Sequence, residues 1–386
     1  MVQAVLLPLL LRCPAIKRNR VGKDRRRSAA DGTVADNTNI SHVRSPFGSR
    51  ARIYFAGCIV ARCAEASGVV DRSVIRRLAI VVGAILASAA AVSAVRGAGQ
   101  EIVVPLHLVR YSDGAMQLGI DVTIGSKTAR LLFDTGSTGL RILASAIPSD
   151  AFRRTGRPEK YAYGSGMEVQ GEEADASVSI GSAQGTNVPI QVVDRVACSS
   201  VQLSQCPKDL VDSMQFAGPY PGILGVYIRS PLLECCDSPL YNLEGKLGRH
   251  FIVHANFDAP ALILNPDAST MKAFSIVDFE AFGAPRGCIR IYESGHETCG
   301  PVIFDTGSPM ILVTTTGTVP GQPYTHAGVR IGSWTHDFTI GQFGSTGVPL
   351  YVVHSDVVRI VLGLPAMQQF DVYYDLDAKR VGVVTR

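Results

Sequence analysis

The chain has 386 residues, 46% hydrophobic and 18% charged, enough for one large core or two moderate ones. Its 38 Gly and 21 Pro favour a turn-rich β fold over a helical bundle. The net charge of +4 is unevenly divided: the first 96 residues take 16 of the 37 Lys+Arg and 5 of the 33 Asp+Glu, so residues 97–386 carry 21 basic against 28 acidic. An acidic body argues against a nucleic-acid partner, which needs a positive face.

In chain order, residues 1–72 are Arg-rich (Arg25, Arg26, Arg27), lack periodicity and read as disordered. The stretch up to about Val69 is expected to lie upstream of the true translation start. Residues 73–94 read as a secretory signal: Arg76-Arg77, an apolar run from Leu78 to Val92, then Val92-Ser93-Ala94 as a small-residue cleavage pattern. Residues 78–95 are also just long enough for a membrane anchor. The expected location is therefore secreted or periplasmic, with a tether that leaves the body outside the cytoplasm as the alternative. Only Val95 to about Glu101 separates the signal from the first predicted strand, Ile102–Leu108, so no inhibitory propeptide is expected.

Four landmarks then occur twice in one order. Leu131-Leu132-Phe133-Asp134-Thr135-Gly136-Ser137 is echoed by Val302-Ile303-Phe304-Asp305-Thr306-Gly307-Ser308. Val178–Gly181 is echoed by Val329–Gly332, Val188–Val193 by Val348–Val353, and Ile223-Leu224-Gly225 by Val361-Leu362-Gly363. Short β-branched runs bounded by Gly, Pro, Asn and Asp predict strands at Ile120–Ile124, Ala174–Ile180, Val188–Val193, Leu262–Leu264 and Val372–Tyr374. A short helix is expected around Leu240–Leu247. The predicted architecture is all-β, with one lobe over 97–266, a second over 267–386, a joint near Asn265–Thr270 and a cleft between the lobes.

Each lobe supplies one aspartate at the end of an apolar strand, followed by Thr-Gly-Ser. Two carboxyls brought together cannot both ionise cheaply, so they share a proton. One carboxylate can then activate a water while its protonated partner polarises a carbonyl. Asp134 and Asp305 are the predicted catalytic pair, and glycines 136 and 307 allow the loops to approach closely. No zinc-finger spacing, phosphate loop or HExxH helix is present, and His250 and His254 are not a ligand pair on a strand, so neither metal nor cofactor is expected.

Of nine cysteines, six lie in the body: Cys198, Cys206, Cys235, Cys236, Cys288 and Cys299. After a signal peptide an even count suggests disulfides. Cys288 with Cys299 is the favoured pair, and the vicinal Cys235 and Cys236 are expected to reach separately to Cys198 and Cys206.

With its paired Asp-Thr-Gly-Ser motifs, the sequence resembles the pepsin family of aspartic peptidases over about residues 100–386, more narrowly its bacterial members. The resemblance implies the bilobal acid-protease fold, two β lobes related by a pseudo-twofold axis, and cleavage of peptide or protein substrates at acidic pH; because one chain supplies both aspartates, a monomer is expected. It also implies that Thr135 and Thr306 cross-link the active loops, and that the hydroxyls of Ser137 and Ser308 bond the outer carboxylate oxygens. Tyr163-Gly164-Ser165-Gly166 resembles the flap that covers substrate, with Tyr161 as a rival tyrosine. The chain departs from the family at Arg141, where pepsins carry a tryptophan that bonds the flap, and at Pro309. Gly225 and Gly363 follow the aspartates by 91 and 58 residues, so the second lobe is expected to be trimmed. Two other readings are a catalytically silent peptide-binding or inhibitory protein of the same fold, and a glycoside hydrolase. A single tryptophan speaks against the latter.

Overall fold

A computed structural model of the chain describes residues 100–200, 206–228, 235–280 and 283–386. The basic segment 1–72, the signal at 73–94 and the possible anchor at 78–95 lie outside these residues. Among the described residues no helix is long and apolar enough to cross a membrane.

The body is almost entirely β. One extended sheet begins with Ser275–Asp278, Arg380–Thr385, Phe370–Asp375, His250–His254 and Ala261–Leu264. It continues through Ile102–Arg110, Met116–Ile124, Lys127–Asp134, Gly222–Val226 and Thr138–Leu143, and ends with the long strands Ala183–Cys198, Met167–Ile180 and Phe152–Ala162. The remaining strands, all between Arg286 and Gly363, close into a barrel. Period-2 alternation shapes the peripheral strands: in Glu297–Asp305 every second residue from Thr298 to Phe304 is buried. By contrast, Leu131–Asp134 and Thr138–Arg141 are buried without a break, because both of their faces are covered.

The duplication read from the sequence reappears as matching registers. Lys127–Asp134 runs parallel to Gly222–Val226 with Asp134 opposite Gly225, and Glu297–Asp305 runs parallel to Arg359–Gly363 with Asp305 opposite Gly363. Leu140 faces Leu224 and Ile190, as Ile311 faces Leu362 and Leu350. Phe133 and Phe304, just before the two aspartates, are buried and anchor the loops from below. Burial of each such ring contributes about 1.5–3 kcal/mol. Trp334 of the barrel packs edge-on against Phe370 of the sheet at 5.1 Å and donates to Thr385 Oγ1 at 2.9 Å.

Two expectations need correction. Leu240–Leu247 is not a helix but two short 3-10 turns, Pro239–Asn242 and Glu244–Lys246, because Gly245 and Lys246 take left-handed backbone angles (φ 65° and 62°). The vicinal cysteines do not reach out separately. Cys198 pairs with Cys206 across a Cα separation of 5.6 Å, within ordinary disulfide reach, and Cys235 is joined to Cys236. Cys288 and Cys299 are joined as expected, being directly opposite each other on adjacent strands.

Candidate active site

Both Asp-Thr-Gly turns follow strands whose register is fixed by a parallel neighbour, so the chain leaves each strand at an equivalent point. The threonines lock the turns together. Thr135 Oγ1 donates to Phe304 O at 2.7 Å and accepts from Thr306 N at 2.9 Å. Thr306 Oγ1 donates to Phe133 O at 2.7 Å and accepts from Thr135 N at 3.1 Å. Both side chains are buried, so none of these groups can turn to water instead. Thr135→Val should therefore strand a buried carbonyl and a buried N–H, at about 1–3 kcal/mol each. Urea unfolding of Thr135→Val, Thr306→Val and the double variant should reveal strong coupling between the two sites, and losses below about 0.5 kcal/mol would show the cross-link to be idle.

The carboxyls meet in this clamp. Gly136 N donates to Asp134 Oδ1 at 2.7 Å, and Gly307 N donates to Asp305 Oδ1 at 2.8 Å. A Cβ at position 307 would sit 2.8 Å from Asp134 Oδ1, and one at 136 would collide with the Asp305 carboxyl. The loops approach this closely only because both positions are glycine. Ser137 Oγ donates to Asp134 Oδ2 at 2.5 Å. Ser308 departs from the expected symmetry: its hydroxyl donates to Met310 O at 3.1 Å, and the Asp305 carboxyl takes backbone hydrogen bonds from Gly307 and Ser308 instead. The loop runs on through Pro309, and the carbonyl of Met310 beyond it takes the Ser308 proton.

The asymmetry has an electrostatic consequence. Burial, then the charge of Asp134 and a hydrogen bond to it, push the Asp305 carboxyl well above the ordinary carboxylate range. Asp134 accepts a donor on each of its oxygens, and Asp305 is the carboxyl built to hold the proton.

The pair opens onto a cleft of about 690 Å³, lined from the sheet side by Leu132 and Ile223 and from the barrel side by Leu312 and Val361. Over it lies the hairpin formed by Phe152–Ala162 and Met167–Ile180. Its tip is a tight turn in which Gly166 N donates to Tyr163 O at 3.0 Å and Gly166 takes φ 81°. Tyr163, Gly164 and Ser165 line the cleft, and so does Tyr161. Burial raises the pKa of both phenols. Tyr161 feels the charge of both aspartates, whereas Tyr163 is placed near Asp134. Sequence reasoning held Tyr161 only as a rival and did not single out Phe216, a wall residue whose ring stacks 6.4 Å from that of Tyr163. A lone Phe between turn residues gave no signal for it.

Among the described residues the cluster of possible metal ligands is Cys288, Glu297 and Cys299, whose two sulfurs are joined in a disulfide.

A family model described as a protein of unknown function, DUF3443, matches residues 125–238. No curated protein sequence matches the chain. Among solved structures, the chain is similar to the aspartic proteinase from Irpex lacteus, with 18% identity and a TM-score of 0.51. The similarity covers 74% of this chain and 97% of that one. The described body has the pepsin-like fold.

Proposed function

We propose that this protein is an aspartic endopeptidase that hydrolyses peptide bonds with a water held between Asp134 and Asp305. The observation that carries this reading is the hydrogen-bonded carboxyl pair, clamped by the reciprocal threonines at the floor of a hairpin-covered cleft. Asp134, ionised, takes a proton from the water as its oxygen attacks the carbonyl carbon. Asp305 gives its proton to the carbonyl oxygen, so no bare oxyanion forms. Asp134 then passes its proton to the leaving nitrogen, the C–N bond breaks, and the hydroxyl proton returns to Asp305. The cycle needs a single proton on the pair. Activity should therefore fall in acid as the pair takes up a second proton, and fall again as pH rises through the elevated pKa of Asp305.

The open, two-sided cleft and its apolar walls suit an extended peptide with apolar side chains beside the cut bond. Three disulfides fit an oxidising compartment, and we place the enzyme outside the cytoplasm.

Incubating the purified chain with a mixed peptide library from acidic to neutral pH tests this reading. Internal cuts with a bell-shaped pH dependence, blocked by a pepstatin-type inhibitor, are expected. Folded protein that binds the inhibitor but cuts nothing at any pH would instead indicate the silent peptide-binding protein.

A further inference from the structure

We propose that Arg141 and Gln191 form a latch beneath the hairpin, holding its tip at a fixed height above the aspartates, with Arg141 a positioning residue. The activity arm of the test rests on the peptidase reading; the latch itself does not.

Arg141 is the largest fully buried side chain of the body, with 0% exposure. A guanidinium in such a place is a charge taken out of water, and it persists only where something compensates it. No carboxylate among the described residues bonds to it. Nη1 donates to Thr138 O, while Nε and Nη2 have no partner. What compensates it is the hairpin: the guanidinium carbon lies 3.6 Å from the centre of the Tyr161 ring. A cation held over a π face is attracted more strongly when it is desolvated. Tyr163 rests edge-on against Tyr161 at 4.9 Å, its buried hydroxyl within the field of Arg141.

Gln191 supplies the second hold. It lies directly opposite Arg141 on the neighbouring parallel strand and is likewise fully buried. Its Nε2 donates to Glu159 O at 3.0 Å and to Val169 O at 3.4 Å, one carbonyl on each strand of the hairpin. The hairpin is thus gripped at Glu159, Tyr161 and Val169, all close to its tip. The ladder pairing Glu172–Ala176 with Val188–Val192 secures its root separately. A lysine would keep the charge but not the flat face.

Hydrogen exchange on the full chain tests the latch without reference to activity. In Arg141→Met and in Gln191→Leu, amides of residues 159–169 should exchange at least about 10-fold faster, while those of 348–354 in the barrel keep wild-type protection. Arg141→Lys should recover only part of the protection. In peptide assays the two disabling variants should raise KM about 10-fold and change kcat less. Should Arg141→Met fail to fold, Gln191→Leu alone decides by the same exchange. Wild-type protection over 159–169 in either disabling variant, equal loss over 348–354, or full protection in Arg141→Lys would overturn the proposal. A wild type that cleaves nothing would sink the peptidase reading and leave the exchange result standing.

Discussion

Asp305→Asn is expected to reduce kcat for peptide cleavage by about 100- to 10,000-fold, the range over which a positioned acid–base group contributes. The carboxamide is nearly isosteric and keeps an oxygen to accept from Gly307 N, so the clamp survives. What it cannot do is hand a proton to the carbonyl oxygen and take one back. KM and binding of a pepstatin-type inhibitor should change far less than kcat. Asp150→Asn, on an exposed turn, is the control and should be silent. If Asp305→Asn folds and keeps more than about a tenth of wild-type kcat, the paired-carboxyl mechanism is wrong.

The same substitution should stabilise the protein at neutral pH. In the fold, burial and the neighbouring Asp134 raise the Asp305 carboxyl well above its ordinary value of 3.8, so the native chain binds that proton more tightly than the unfolded chain. The stability this contributes is complete below 3.8 and is lost as pH climbs through the raised native value. Asparagine carries no charge at any pH and escapes the loss. The melting temperature of Asp305→Asn should therefore exceed wild type at pH 7, by about 2–4 °C for each kcal/mol relieved, with the gap narrowing toward pH 3. A gap that is flat across pH, or that widens in acid, would contradict the assignment of the proton to Asp305.

Much of this was legible in the sequence because it was written twice. A duplicated strand, turn and glycine brace constrain one another, and Asp134 opposite Gly225 and Asp305 opposite Gly363 follow from that repetition. The misreadings fall where the two halves differ or where no repeat exists. Ser308 looks like Ser137 in the motif, yet its hydroxyl goes to Met310 O, a choice set by the loop beyond the motif. Sequence does not reveal that Cys198 and Cys206 close on each other in space, which leaves the vicinal cysteines to each other. Arg141 could be marked as out of place, but its burial and its contact with Tyr161 depend on a strand and a hairpin meeting in space.

The sheet that joins the beginning and end of the body has a bearing on how the chain assembles. His250–His254 finds one partner, Ala261–Leu264, within a few residues, but the other, Phe370–Asp375, more than a hundred residues on. Until that late strand has left the ribosome, the outer edge of His250–His254 stays unpaired, and an open edge invites pairing with other chains. Pairings so distant in sequence also form slowly, because loop closure precedes any reward from contact. A nascent chain halted before Phe370 would carry a finished Asp134 turn beside an uncovered edge. The last strands thus act as the seal of the fold, and the chain is most vulnerable to aggregation in the interval before they arrive.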